Sequence, residues 1–168
     1  RDADDLQRLA RRAGRKARLL VLTDGMFSHD GSVAPLRTYL KVLPRTARLL
    51  VDDAHGAGVL GLHGRGTLEH EGVSRQRIIQ CVTLSKAFGV YGGAVLGTPS
   101  LRRKILNRSR AFMGCTPLPP PLANAVLASV KILSRGAQLR ARLHRNANHV
   151  KAALRRAGVK RTKTPRPA

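Results

Sequence analysis

Short, continuously apolar runs alternate along this chain with segments whose apolar residues recur at helical spacing. The apolar runs are typical of buried strands, and they lie at 18–23, 47–52, 77–84 and 91–98. Helical spacing predicts helices at 2–17, 35–44, 99–111, 119–133 and 137–158. Buried strands separated by helices favour a mostly parallel sheet with helices on both faces. The pattern therefore predicts an α/β fold.

The last predicted helix, at 137–158, carries apolar residues on one side and arginine and lysine on the other. Its apolar stripe consists of Leu139, Leu143, Ala147, Val150 and Leu154. Such a pattern is typical of an amphipathic helix that packs against a core. We therefore expect the stripe to be buried and the basic face to be in contact with solvent.

Several polar residues follow the predicted strands at the point where each strand ends. Asp52, Asp53 and His55 come at the end of the second strand, and Lys86 comes just after the third. In sheets of this kind, ligands bind beyond the carboxyl ends of the strands. Because those ends share one edge of the sheet, we expect these side chains to converge there.

A lysine near the edge of a sheet is usually a solvated surface cation, but Lys86 has neighbours that suit a phosphorylated carbonyl cofactor. A lysine that forms a Schiff base needs a snug, partly dry pocket. Thr83 and Ser85 offer hydroxyl groups for a phosphate. Asp52 can keep a pyridine nitrogen protonated. His55 can bond a ring hydroxyl, or it can be an ordinary loop histidine. Together these residues predict a pyridoxal phosphate site.

Composition limits the alternatives. Lys and Arg outnumber Asp and Glu by 32 to 9, a formal net charge of +23, which can mark a nucleic-acid-binding protein. The basic residues recur along the whole chain and only 3% of residues are aromatic, so few side chains can stack on bases. The two cysteines are too few for a disulfide framework or a cysteine metal cluster. No apolar run approaches the ~18 residues that a membrane helix needs. We expect a cytoplasmic α/β domain with an Arg-rich surface.

Four segments, in order, resemble the α-oxoamine synthases, which are fold-type I pyridoxal-phosphate enzymes. They read LTDGMFSHDGSVAPL, VDDAHGAGVLGLHGRGTLEHEGV, TLSKAFGVYGGAVLG and FMGCTPLPPPLANA. The resemblance extends over about residues 20–125. It implies that the chain is part of the large, cofactor-binding domain of such an enzyme.

The resemblance implies roles for three residues already singled out. Lys86 would form the Schiff base and later remove the Cα proton of the substrate. Asp52 would pair with the pyridine nitrogen, and His55 would contact the ring hydroxyl. These assignments agree with the chemistry that the residue types themselves suggest.

The resemblance also assigns Ser28, Thr83 and Thr116. Ser28 would lie close to the ring hydroxyl, and Thr83 would bind the phosphate. Thr116 would reach the phosphate bound by a neighbouring subunit, which implies a homodimer with shared active sites.

The activity implied by the resemblance is the condensation of an amino acid with an acyl-CoA, followed by decarboxylation to an aminoketone. Residues 1–157 would be part of the large domain and 158–168 the start of a linker to a C-terminal domain. We expect the isolated chain to show little or no turnover, because family members have further segments on both sides. Three alternatives remain open: another member of the same family, such as a glycine C-acetyltransferase; another fold-type I enzyme, such as an aminotransferase or lyase; and a basic nucleic-acid-binding protein.

Overall fold

A computed structural model describes residues 1–14 and 16–159 of the chain. The four strands are β1 (Leu20–Asp24), β2 (Arg48–Asp52), β3 (Ile78–Thr83) and β4 (Gly93–Leu96). The helices are α1 (Ala3–Ala13), α2 (Leu36–Val42), α3 (Thr67–His70), α4 (Pro99–Arg108), α5 (Arg110–Met113), α6 (Pro120–Ser134) and α7 (Ala137–Arg156). The strands form one sheet in the order β1-β2-β3-β4. Pairs β1–β2 and β2–β3 are parallel and β3–β4 is antiparallel, so the predicted mostly parallel α/β sheet is confirmed.

The register of the three parallel strands fixes which side chains share a face. Asp24 pairs with Asp52, and Asp52 pairs with Cys81. Successive side chains along a strand point to opposite faces. Thr83, two residues after Cys81, therefore shares the face of Asp52, whereas Val51 lies on the other face.

The hydrophobic core lies against the face of the sheet that carries Val51, opposite the face that carries Asp52. Helices α1 and α2 pack there, and the buried side chains of the cluster include Leu36, Tyr39, Leu43, Leu49, Val51, Leu68 and Ile78. The continuous apolar runs in β2 and β3 supply the sheet side of this core. Burying aliphatic side chains in this way contributes roughly 1.5–3 kcal/mol for each one.

The prediction that helices cover both faces is wrong for the part of the chain that the structure describes. On the face opposite the core, Leu20, Leu22 and Val95 are 51%, 70% and 53% exposed. The later helices instead attach to loops that follow the strands. Ser129 of α6 donates to the carbonyl of Phe88 over 2.6 Å. The face of the sheet opposite the core is therefore largely exposed to solvent.

The predicted burial of the α7 stripe is also wrong. Leu139, Leu143, Val150 and Leu154 are 45–55% exposed. The residue of α7 that is buried is Arg140, which donates to the carbonyl oxygens of Leu133 at 2.7 Å and Leu62 at 3.0 Å. Helix α7 is thus attached to the rest of the structure by hydrogen bonds from Arg140, which does not belong to the apolar stripe. No helix within the described ranges is long and apolar enough to cross a membrane.

Candidate active site

Lys86 and His55 meet at the carboxyl edge of the sheet. Lys86 lies in the loop after β3 and His55 in the turn after β2, and Lys86 Nζ is 2.9 Å from His55 Nε2. A lysine ammonium has only donors, so with a charged Lys86 the Nε2 of His55 accepts and its ring proton sits on Nδ1. The structure therefore brings together the two residues to which the sequence assigned catalytic roles.

Asp52 is the last residue of β2 and its side chain is exposed. Its carboxylate accepts a bond from the backbone N–H of Ala54 at 3.1 Å, which shapes the start of the turn that carries His55. Asp24 lies beside it in the register, a second carboxylate that the sequence reasoning missed. Asp52 thus lies at the same edge of the sheet, and on the same face, as Thr83.

Thr83 and Ser85 form a pair of hydroxyl groups directly before Lys86. Their Oγ atoms are 2.8 Å apart, and the backbone N–H of Ser85 donates to Thr83 Oγ1 at 3.4 Å. The loop behind them is held by a bond from the N–H of Leu84 to the carbonyl of Gly92 at 2.9 Å. Two adjacent hydroxyls on a fixed loop can donate to an anionic oxygen.

Ser28 and Thr116 are connected to this cluster by no hydrogen bond within the described residues. Ser28 is exposed in the turn between the bridged residues Met26 and Val33. Thr116 is exposed in the segment between α5 and α6. Within residues 1–14 and 16–159, neither side chain forms a hydrogen bond to another predicted site residue. Their assigned roles stay predictions.

Asp53, which the sequence predicts among the converging residues, has a function in the fold that its position in the sequence does not reveal. Asp53 is fully buried, with an exposure of 0%. Its Oδ2 accepts from the backbone N–H of Thr67 at 2.8 Å and from Gln80 Nε2 at 2.6 Å, and its Oδ1 accepts from Thr67 Oγ1 at 2.6 Å. The available signal was strand alternation, which turns the second of two adjacent acids to the face opposite the first.

Three glycines make room for this carboxylate. An added Cβ at Gly25, Gly56 or Gly66 would overlap an Asp53 oxygen. Burial raises the pKa of Asp53, as does the nearby charge of Asp52, while the bonds from Thr67 and Gln80 act in the opposite direction. The donors and the glycines together form a cavity shaped for one carboxyl group.

Cys81 belongs to the same edge. Burial raises the pKa of its thiol, and the charge of Asp52 raises it further. The thiolate is the reactive form of cysteine, so these surroundings keep Cys81 protonated. Asp52 therefore acts on its neighbour in β3 by charge as well as by position.

Comparison with known proteins gives a family match over almost the whole chain. The model of the aminotransferase class I and II family matches residues 1–167. A curated 8-amino-7-oxononanoate synthase from Thermosipho melanesiensis is 40% identical over 159 residues, covering 94% of this chain and 41% of the relative. One from Cupriavidus taiwanensis is 45% identical over 147 residues, covering 86% of this chain and 36% of the relative.

Solved structures agree. A serine palmitoyltransferase from S. paucimobilis with bound PLP–myriocin aldimine matches with a TM-score of 0.87 and 28% identity, covering 94% of this chain and 41% of that one. An 8-amino-7-oxononanoate synthase from Francisella tularensis matches with a TM-score of 0.79 and 29% identity, covering 95% and 48%. These matches confirm the predicted fold class.

The chain spans about two fifths of the length of the curated relatives that it matches. The four short segments that indicated the family lie within about residues 20–125, whereas the family match extends over residues 1–167. The chain belongs to the aminotransferase class I and II family.

Proposed function

We propose that the protein containing this chain is a pyridoxal 5′-phosphate-dependent acyltransferase of the 8-amino-7-oxononanoate synthase type, acting in biotin biosynthesis. It condenses an amino acid with an acyl-CoA and releases carbon dioxide to give an aminoketone. The observation that carries the proposal is the 2.9 Å contact between Lys86 Nζ and His55 Nε2, at the sheet edge where β2 ends in Asp52.

The residues present fit the cofactor. Pyridoxal phosphate requires an amine for its aldehyde, an acid for its ring nitrogen and donors for its phosphate. Lys86 offers the amine, Asp52 an exposed carboxylate, and the paired hydroxyls of Thr83 and Ser85 the donors. When bound, the cofactor supplies an electron sink for the pair of electrons left at a substrate carbon.

In this proposal each residue has a distinct task. Lys86 Nζ would hold the cofactor at its aldehyde carbon and would accept the proton released from the substrate Cα. Asp52 keeps the ring nitrogen protonated by the attraction of opposite charges. His55, whose Nε2 contacts Lys86, would orient the amine and would bind the ring hydroxyl of the cofactor. The protein thus supplies orientation and charge, which is the usual division of work in cofactor enzymes.

The reaction balances without an external oxidant or reductant. The new bond joins the Cα of the amino acid to the acyl carbonyl carbon. The thioester C–S bond breaks and CoA leaves as the thiol, while the amino-acid carboxyl group leaves as carbon dioxide. In the proposed product, 8-amino-7-oxononanoate, the newly formed bond joins the ketone carbon to the carbon that bears the amino group. On one side of this bond lies alanine without its carboxyl group, and on the other side lies a dicarboxylic acyl group. Alanine and a dicarboxylic acyl-CoA are therefore the substrates to test.

The proposal extends to the assembly. Residues 1–157 form part of the large domain, and the protein is a homodimer in which Thr116 serves the site of the partner subunit. The exposed position of Thr116, between α5 and α6, supports this role. Most of the proposed linker, 160–168, lies outside the described residues.

Cofactor capture tests the proposal directly. The protein expressed from its complete gene is titrated with pyridoxal 5′-phosphate, and the absorbance of the lysine-linked cofactor is followed. We expect a saturable absorbance band of the lysine-linked cofactor that Lys86→Ala abolishes, because among the described residues no other lysine forms a hydrogen bond to His55. Borohydride reduction and peptide mapping should place the label on Lys86. Lys131→Ala, an exposed lysine on α6, is the matched control and should bind as the wild type does.

Product analysis separates the proposal from its relatives. With alanine and a dicarboxylic acyl-CoA, we expect release of free CoA and carbon dioxide in equal amounts. A band that survives Lys86→Ala would contradict the lysine assignment. Transfer of the amino group to a keto acid, with no release of CoA, would favour an aminotransferase instead. Release of CoA with glycine and a short acyl-CoA would favour a glycine C-acetyltransferase.

A further inference from the structure

The buried carboxylate of Asp53 connects the segments that carry the proposed site. Its own backbone N–H donates to the carbonyl of Cys81 in β3 at 2.8 Å, and its carbonyl accepts from the N–H of Ala57 at 2.9 Å. The residue therefore closes the turn that holds His55. It directly follows Asp52 and lies two residues before His55.

The side-chain bonds of Asp53 extend this connection to β3. Gln80 donates to Asp53 Oδ2 at 2.6 Å and to the carbonyl of Arg65 at 3.1 Å. Gln80 is 1% exposed, and six residues later the same segment carries Lys86. The Asp53–Gln80 bond thus links the turn of His55 to the strand that leads to Lys86.

The orientation of the Gln80 amide follows from its partners. Its Nε2 faces two acceptors, so a flipped amide would set an oxygen against both of them. In the current orientation Gln80 Oε1 is buried and has no partner within the described ranges. Burying a polar atom without a hydrogen bond costs about 1–3 kcal/mol. The two bonds donated by Nε2 are thus formed although the other polar atom of the amide stays buried without a partner.

We propose that Asp53, acting through Gln80 and Thr67, is a positioning residue that holds Asp52 and His55 in register with Lys86. This inference rests on the proposed function, because positioning matters only if these groups act on one ligand. Three observations support it: the complete burial of the carboxylate, its bonds to two separate segments, and the glycines at positions 25, 56 and 66 that make room for it. Asp53 itself faces away from the ligand side.

The test removes the connection while keeping the fold. Gln80→Met has nearly the same shape, cannot donate to Asp53, and removes the buried oxygen without a partner. Glu69→Gln is the control. Glu69 also accepts several hydrogen bonds, from the N–H groups of His63 and Arg65 and from the His63 ring, but none from the site. Both variants are made in the protein expressed from its complete gene.

We expect Gln80→Met to bind pyridoxal 5′-phosphate about tenfold to a hundredfold more weakly, the range typical when a residue that orients a binding group is replaced. The visible circular dichroism of the bound cofactor should fall, while the far-ultraviolet circular dichroism of the cofactor-free protein should stay that of the wild type. The urea midpoint should fall as well, because the buried Asp53 carboxylate loses the bond from Gln80. Glu69→Gln should change the urea midpoint and leave cofactor affinity unchanged. Wild-type affinity in both Gln80→Met and Asp53→Asn would overturn the inference.

A second readout does not depend on the cofactor. In the cofactor-free protein, the ¹⁵N chemical shift of His55 Nε2 reports its contact with Lys86. We expect Gln80→Met to move that shift toward the value in Lys86→Ala, and Glu69→Gln to leave it in place. An unchanged shift in Gln80→Met would overturn the inference even if the cofactor binds. Failure of the wild type to capture the cofactor on Lys86 would instead count against the proposed function.

Discussion

Replacing Gly66 with alanine should be among the most damaging small substitutions in this protein. Gly66 has φ +87° and ψ −159°, a region that is essentially restricted to glycine. An added Cβ would also overlap Asp53 Oδ2 and come within 3.1 Å of Gln80 Nε2. Two costs therefore combine at one position, backbone strain and displacement of the buried carboxylate.

The chain offers a control for each cost. Gly14 has nearly the same backbone, with φ +86° and ψ 158°, but its added Cβ would meet nothing within 4 Å. Gly14→Ala therefore measures strain, which costs about 1–3 kcal/mol. Gly56 lies outside the left-handed region, and its added Cβ would overlap Asp53 Oδ1. Gly56→Ala therefore measures collision with the carboxylate.

The magnitude of the collision follows from the bonds at stake. Hydrogen bonds to a charged group contribute about 1.5–3 kcal/mol each, and a displaced Asp53 loses at least one of its three. We expect Gly66→Ala to reduce the free energy of unfolding by roughly 2–5 kcal/mol more than Gly14→Ala does. Urea unfolding followed by circular dichroism measures the difference. Equal losses in Gly66→Ala and Gly14→Ala would show that the Asp53 carboxylate does not occupy this space.

Two further predictions concern single groups. Asp52→Asn should lower the pKa of Cys81, because the charge of Asp52 helps to raise it. Alkylation of Cys81 should therefore become faster relative to alkylation of exposed Cys115. An unchanged ratio of the two alkylation rates would mean that Asp52 does not act on the Cys81 thiol. Burial raises the pKa of Glu69, but hydrogen bonds from His63 and Arg65 outweigh it and hold the pKa below its ordinary 4.5. The stability that Glu69 provides is therefore full above about pH 4.5 and is lost as pH falls through the lowered pKa. The stability difference between wild type and Glu69→Gln should shrink over that range, and a difference that stays constant with pH would refute the reasoning.

The strands were predictable because each one buries a continuous apolar run. The third was predicted at 77–84 and is Ile78–Thr83. The edge where Asp52, His55 and Lys86 converge followed from the same logic, since parallel strands share their carboxyl ends. Local pattern was sufficient here, because the information lies within each strand and its flanking residues.

Burial of helix faces was not predictable. The spacing of apolar residues in α7 correctly indicated an amphipathic helix, yet Leu143 and Val150 are 46% and 55% exposed. A periodic pattern states that a helix has an apolar side and does not state which element covers it. The same limit explains why the open face of the sheet, with Leu22 at 70% exposure, was expected to be covered.

The function of Asp53 in the fold could not be predicted from local sequence pattern either, because its hydrogen-bond partners are distant in sequence. Its partners Thr67 and Gln80 are 14 and 27 residues away in sequence, and nothing in a strand-like run marks one glutamine as a donor to a distant acid. Asp52 and Asp53 have the same side chain and adjacent positions, so residue type alone assigns them equal chemistry. Strand alternation separates them: it turns Asp52 toward solvent, where it can meet a ligand, and turns Asp53 inward, where burial raises its pKa. Asp53 can therefore hold the turn in place while the Asp52 side chain stays exposed. If the proposed function is correct, Asp52 of this pair binds the ligand and Asp53 anchors the turn that carries Asp52 and His55.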